Sequence, residues 1–258
     1  LEAKVPDAKT VWLFREHLKE LHLMDALFNR FHEQLAQRGY VACAGQMIDA
    51  TFVEAPKQRN TREENALIKE GAIPIEWGKD ENKNKLAQKD TEARWTKKNN
   101  EKHYGFKNHI NADQTHKLIQ TYTVTDAAVH DSQAIDDLLD KCADANGNKR
   151  PVYADSAYRS KEREADLAKQ NITSQICEKG SRGHPLSEAQ KAANHAKSKV
   201  RSRVEHVFGA QAQMGGHWVR TIGLLRAKIK IGMMNLVYNM VRLVQLTRRD
   251  GIGAPAIG

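Results

Sequence analysis

An aspartate inside an apolar run constrains this chain more than any other feature. Gln46 to Val53 reads Gln-Met-Ile-Asp-Ala-Thr-Phe-Val, the composition of a strand, with Asp49 between Met47-Ile48 and Phe52-Val53. A central strand normally excludes a charge, because an ionised carboxylate is costly to bury alone. Asp49 is therefore either a buried cap on a neighbouring turn or one wall of a charged site. A second short apolar run, opened by Pro151, ends at Asp155 in Pro-Val-Tyr-Ala-Asp-Ser-Ala-Tyr. A carboxylate at a strand end can face a cleft, where a cation or substrate compensates it.

The order of elements says whether the two can meet. Lys9 to Gly39 has the periodicity of two helices, with Leu27, Phe31 and Leu35 four apart on one face. Gln46–Val53 is the first strand, closed by Pro56. From Lys57 to Lys102 no period is sustained and polar residues dominate, which predicts a long, partly mobile insertion. His103–Asn111 and His116–Thr125 then form a hairpin turning at Asp113-Gln114, with Lys107 and His109 on one strand face. Asp131-Ser132 starts a helix whose apolar face is Ala134, Ile135, Leu138, Leu139 and Cys142. The strand before Asp155, a helix over Ser160–Gln170 and a strand over Ile172–Cys177 complete the series. Three antiparallel strands followed by a crossover to a parallel one can set Asp49 beside Asp155.

A helical segment from Ser187 carries the third carboxylate. Val200, Val204, Val207 and Phe208 face the core there, and Arg201 and Glu205, four apart, share another face. In isolation such a pair is a surface ion pair worth a few tenths of a kcal/mol. A last helix spans about Met233 to Leu246, with Leu236, Met240, Leu243 and Val244 on one face, before a frayed Gly-rich tail. Tyr158 either contacts a ligand or packs the start of the helix that follows it.

Charge adds a partner. The net charge is +9, and Lys149 to Arg249 alone holds 20 Lys and Arg against 7 Asp and Glu. A basic segment of this length points to nucleic acid, against the alternative of a solvated basic face. The 258 residues suffice for a full core, and 40% hydrophobic and 28% charged residues describe a soluble globular chain. The apolar stretches fall short of a membrane span, and the start lacks a signal peptide. It also lacks an initiator Met, so a fragment or processed product is expected. Cys43, Cys142 and Cys177 form no Cys-x-x-Cys pair, which fits a reducing cytoplasm rather than a disulfide or zinc framework.

Two Asp on adjacent strands and a Glu on a packed helix make a hard-oxygen donor set suited to Mg²⁺ or Mn²⁺. Two such ions about 3.5–4 Å apart can activate a nucleophile and stabilise a leaving oxygen in phosphodiester chemistry. The candidate DNA contacts are the neighbouring cations Lys107, His109, Lys197, Lys199, Arg201 and Arg203, which would make binding salt-dependent.

Five stretches then carry a resemblance: Met-Ile-Asp49-Ala-Thr, His103-Tyr-Gly-Phe-Lys107-Asn-His109, Val124 through His130-Asp131-Ser, Tyr153-Ala-Asp155-Ser-Ala-Tyr158, and Arg201-Ser-Arg-Val-Glu205-His-Val-Phe-Gly209. In this order the chain resembles the DDE transposases of bacterial insertion sequences, nearest the insertion-sequence-five group of the insertion-sequence-four-like superfamily. The resemblance implies an α/β fold: an RNase H-like mixed sheet flanked by helices, with helical N- and C-terminal extensions. On that division, residues 1–40 are an incomplete helical segment and 41–215 the catalytic core with its insertion at about 57–102. Residues 216–258 are a helical extension and tail. It also implies Mg²⁺- or Mn²⁺-dependent cleavage and joining of DNA at terminal inverted repeats and target DNA, by a homodimer on paired ends. It assigns the triad to Asp49, Asp155 and Glu205, and matches Arg201 to the arginine of the family's Tyr-Arg-Glu-Lys signature. The signature's tyrosine falls at Ser198 and its lysine at Ala212. Those departures suit a second reading, a DNA-binding remnant that represses transposition. A third is a general nuclease indifferent to element ends.

Overall fold

A computed structural model describes residues 5–40, 44–141 and 149–251, so the expectations at Cys43, at Cys142 and in the tail lie outside the described residues. Two helices open the chain, α1 (Ala8–Glu20) and α2 (Met24–Gln37), as the periodicity predicts. Next come β1 (Gln46–Glu54), α3 (Arg62–Lys69), α4 (Lys83–Ala87), β2 (Arg94–Lys98), β3 (Glu101–Asp113) and β4 (Ile119–Asp126). They are followed by α5 (Ile135–Leu138), β5 (Val152–Tyr153), α6 (Lys161–Lys169), α7 (Glu188–Arg201), α8 (Glu205–Gln213) and α9 (Leu224–Arg249).

The sheet is mixed, and its helices pack on both faces. β3 pairs antiparallel with β1 along one edge, and with β2 and then β4 along the other. β5 lies parallel to β1 on the far side. Because both faces are covered, successive β1 residues are buried in opposite clusters, which accounts for the unbroken apolar run. Met47 joins Ile110, Ile119, Val207 and Leu236, under α2, α8 and α9. Ile48 joins Ile135, Leu138, Tyr158, Leu167 and Ile176, under α5 and α6. Gly105 fits where β3 meets the end of β1: its φ is +146°, and a Cβ would stand 2.4 Å from the Val53 carbonyl oxygen.

Four local expectations change. The stretch 57–102 is not structureless. Thr61 caps α3 in a reciprocal capping box with Glu64, and Trp77 is fully buried with its indole N–H donating to Glu64 at 2.7 Å. The ammonium groups of Lys85 and Lys89 lie 5.4 and 5.2 Å from that ring, and β2 extends the sheet. The expected strand over Ile172–Cys177 is reduced to a single parallel bridge, Val152 with Ser174, although the Cys177 N–H still donates to the Ala154 carbonyl. The helix at Asp131 is one 3₁₀ turn followed by the four residues of α5.

The last helix starts nine residues earlier than expected, and its buried face is rotated. Met240 and Val244 are exposed, whereas Asn235 and Asn239 are fully buried. Asn235 bonds Asn108 and Gln211, and Asn239 bonds both the N–H and the carbonyl of Ile119. Buried amides are tolerated when fully satisfied, and here the sheet satisfies them.

α1 is tied to α9 by Glu16, whose carboxylate receives two hydrogen bonds from Arg226, at 2.7 and 2.9 Å, and one from Lys19. Arg226, then Lys19, hold the Glu16 carboxyl down at about 2. A depressed carboxylate stabilises the fold above its unfolded pKa and loses that contribution as pH falls through the folded value. Glu16→Gln is therefore expected to cost about 1–2 kcal/mol near pH 7. The difference from wild type should vanish as pH drops from about 4.5 toward 2, followed by denaturant titration at each pH.

Candidate active site

The three carboxylates expected to act together come from three kinds of local structure. Asp49 sits mid-β1 and is 9% exposed. Gln46 pairs with Val152 and Met47 with Tyr153, and there the pairing ends; the same register continued two residues would set Asp49 level with Asp155. Asp155 lies just past β5 and caps a 3₁₀ turn, Ser156–Tyr158, accepting from the Ala157 N–H at 2.8 Å. Glu205 is the first residue of α8, after a 3₁₀ break at Ser202–Val204 that interrupts the helix expected to run through it. Its side chain is 67% exposed.

Arg201, at the end of α7, links two of them, Asp49 and Glu205. Its Nη1 donates to Asp49 Oδ2 at 2.5 Å, and its Nη2 lies 3.8 Å from Glu205 Oε1. Burial pushes the Asp49 carboxyl above the usual carboxylate range, and the Asp155 charge adds to that rise. The Arg201 guanidinium and the Ala50 N–H, which donates to Asp49 Oδ1, oppose it. The expected Arg201–Glu205 pair thus exists, but the shorter contact is to Asp49, 152 residues away in sequence.

The remaining expected DNA contacts divide. Lys199 and Arg203 are exposed, and Lys197 is half-buried with its ammonium donating to the Ile176 carbonyl. Lys107 and His109, by contrast, are 7% and 0% exposed, so neither can touch a phosphate directly in this conformation. The sheet face that carries them is covered by the loop after β4. Lys107 donates to the Val129 carbonyl at 2.6 Å and to Asp131 Oδ1 at 2.8 Å. Tyr158 is likewise buried, among Leu167, Ile172 and Ile176, so packing rather than ligand contact is its role.

His109 Nε2 and the Thr125 hydroxyl lie 2.8 Å apart, and the same hydroxyl lies 2.9 Å from the Asp126 carbonyl oxygen. The other ring nitrogen, Nδ1, is buried without a partner among the described residues. Burial drives the His109 pKa down to about 4; Lys107 adds to the fall, and Asp131 opposes it. For a depressed base the unfolded chain takes up the proton first, so stability drops as pH falls from about 6.5 toward 4. His109→Gln should flatten that slope, by about 1–3 kcal/mol between pH 7 and 4, in denaturant titrations.

Two groups near the site escape a reading of the sequence. Asp131 is buried beside Lys107, and Lys98, the last residue of β2, lies 3.9 Å from its other oxygen. The Lys98 ammonium is also 5.7 Å from the ring of Phe52, which stacks on His103 at 4.0 Å. The one available signal is Asn99-Asn100, a turn-forming pair inside a stretch otherwise without period.

A divalent ion suits the donor chemistry, since carboxylate oxygens are what hard cations select. In the arrangement described, Arg201 supplies the counter-charge to Asp49, and among the described residues no three His, Cys, Asp or Glu converge tightly enough to hold an ion. Among the same residues no helix is long and apolar enough to cross a membrane. No solved structure matches the chain. A family model described as a transposase DDE domain matches residues 45–240, from the start of β1 into α9 and through every residue of the carboxylate cluster. The chain therefore belongs to the DDE-domain transposases.

Proposed function

We propose that this chain cleaves and joins DNA at the ends of a bacterial insertion sequence of the insertion-sequence-five group, with Asp49, Asp155 and Glu205 as its catalytic carboxylates on an RNase H-like core. The family acts on DNA by metal-dependent polynucleotidyl transfer. The observation that supports the residue assignment is the parallel β1–β5 pairing, which ends two residues short of Asp49 and Asp155 and whose register, continued, would set them side by side. Nothing in the packing of a core requires two aspartates there, and their mutual repulsion is a cost a structural role would avoid. Bound Mg²⁺ or Mn²⁺, two ions on this reading, would activate a water or DNA hydroxyl as nucleophile and stabilise the leaving oxygen.

The chain's own residues would do the rest. Burial raises the Asp49 carboxyl above the usual range, and Arg201 and the Ala50 N–H oppose that rise. Arg201 balances Asp49 until a cation takes that role, and Glu205, exposed on the first turn of α8, is free to approach. Lys199 and Arg203 are exposed cations flanking the same helix break, where a phosphate backbone would meet them. Residues 41–215 would form the core, with the N-terminal helices and α9 packed on it, and a pair of chains would act on paired ends.

The test is nicking of DNA carrying the element's terminal inverted repeats, with Mg²⁺ or Mn²⁺ against a chelator. Metal-dependent cuts at the ends support the reading, and metal-dependent cuts without regard to ends would make the chain a general nuclease. Binding to end DNA without cleavage in either metal would favour the repressor. Ser198 and Ala212 supply the observation behind that alternative. Ser198 faces the Cys177 sulfur at 3.5 Å and Ala212 is exposed, so neither offers the phenol or ammonium of the family signature.

A further inference from the structure

We propose that Lys117 and Arg242 together hold a backbone phosphate of the DNA strand that crosses α8 beside Glu205. The proposal deepens the function set out above and rests on it. It begins with a backbone outlier. Lys117 sits in the turn between β3 and β4 with φ 59°, the left-handed region that glycine and asparagine occupy at least cost. A lysine there is a costly choice unless its side chain has a task. The turn does not use that side chain. α9 fixes the turn through main-chain carbonyls: Arg242 Nε donates to the His116 carbonyl at 2.7 Å, and the Tyr238 hydroxyl donates to the Lys117 carbonyl at 2.7 Å. Any residue supplies a carbonyl.

The charges around Lys117 point to an anion. Its ammonium, on a half-buried side chain, has no hydrogen-bond or ion-pair partner among the described residues. Burial, then the neighbouring charges of Arg242 and Arg203, hold it below the usual lysine range, and no carboxylate opposes them. Arg242 is fixed but not neutralised. Its Nε is taken by His116 and its Nη1 donates to Gln245 Oε1 at 3.1 Å, while among the described residues Nη2 has no partner. None of the residues lining the hollow that Lys117 and Arg242 share is acidic. Cations gathered without a counter-charge repel one another, and an arriving phosphate relieves that repulsion.

The place of the hollow says which phosphate. His206, Ala210 and Gln213 form a ridge along α8. Lys117 and Arg242 lie on one side of it, and Ser202, Glu205 and Gly209 line a second hollow on the other. α8 is low at this point, since nothing stands within 4 Å of the Cβ that Gly209 lacks. One helix diameter, about 10 Å, therefore separates the two cations from Glu205, a span of about three nucleotides of one strand. α8 packs through Val207 on Met47, and strand alternation puts Asp49 on the same sheet face as Met47. The cations and the carboxylates thus share one side of the sheet, and a strand that reaches Glu205 can keep a neighbouring phosphate on Lys117 and Arg242.

One phosphate contact has a signature that structural damage does not reproduce: log K falls with log[salt] by about 0.9 per contact. Affinity for a duplex carrying the terminal inverted repeat would be measured by fluorescence anisotropy without divalent metal, from about 50 to 200 mM salt. Lys117→Asn should bind about 10-fold more weakly at the low-salt end. Its unfolding midpoint in urea should hold or rise, because asparagine suits the left-handed turn. In Lys117→Asn/Arg242→Gln the slope should be lower by about one, so the wild-type advantage shrinks about 3.5-fold across the range. Arg242→Lys, which keeps the charge and loses the guanidinium's bonds to the turn, should keep the wild-type slope. Lys169→Gln removes an exposed charge from α6, on the opposite side of the sheet, and should bind as wild type does. An unchanged slope in the double variant overturns the proposal. So does a loss in Lys169→Gln equal to that in Lys117→Asn, or a fall in the Lys117→Asn midpoint that accounts for its weaker binding. Each of these leaves the transposase reading standing, whereas a wild-type chain that binds no DNA at any salt overturns both.

Discussion

Asp155→Asn should reduce metal-dependent nicking of end-containing DNA about 10³-fold or more while leaving the chain folded. Asparagine is chosen because Asp155 also has a local structural task. Its Oδ1 accepts the Ala157 N–H that starts the Ser156–Tyr158 turn, and an asparagine side-chain oxygen caps as well as an aspartate one. The substitution therefore removes a charge and an anionic oxygen, not the cap. Asp155→Ala would confound the two, with a cap loss of about 1 kcal/mol added to any loss of metal. Unfolding midpoint and DNA affinity should both stay near wild type, so that only the cleavage step falls. Ion affinity offers a readout free of turnover: quenching by Mn²⁺ should weaken in Asp155→Asn and in Asp49→Asn alike. Equal nicking by wild type and Asp155→Asn would mean the activity belongs to another protein or to other residues. Unchanged Mn²⁺ affinity would remove Asp155 from the donor set even if cleavage fell.

How much of this could be foreseen from residue order follows from the range of each interaction. Asp49 was conspicuous because the residues around it report their own burial: Met47, Ile48 and Val53 demand a core, and a carboxylate among them demands a reason. The side-by-side placement with Asp155 followed from connection rules, which are insensitive to detail. Exposure was another matter. Alternation puts Lys107 and His109 on one face but says nothing of what covers that face, and the covering piece, Asp131, enters from a loop 24 residues on. The buried side of α9 differs from its apolar pattern for a related reason. Asn235 and Asn239 look like solvent residues until Asn108 and Ile119 are seen to satisfy them. In the 57–102 stretch the order comes from a few anchors, chiefly Trp77 on Glu64, that no periodic pattern records. Lys98 was hidden with it, since its direction depends on two left-handed asparagines, Asn99 and Asn100.

Lys107→Met should destabilise the chain by about 3–5 kcal/mol, the cost of stranding a buried partner charge. Lys107 is enclosed, and it satisfies two acceptors at once, the Val129 carbonyl and Asp131 Oδ1. Methionine keeps the length of the stem and its contact with the Phe52 ring, so packing is largely conserved and the loss is electrostatic. Asp131 would be left with Lys98 alone, across 3.9 Å and partly through solvent. Adding Asp131→Leu should return much of the lost stability, because a buried pair replaced whole by apolar groups costs far less than a pair cut in half. The two single variants and the double variant close a cycle in urea titrations, and a coupling of about 2 kcal/mol or more is expected between them. A single-variant loss under about 1 kcal/mol, with additive effects, would mean that water reaches the pair and screens it.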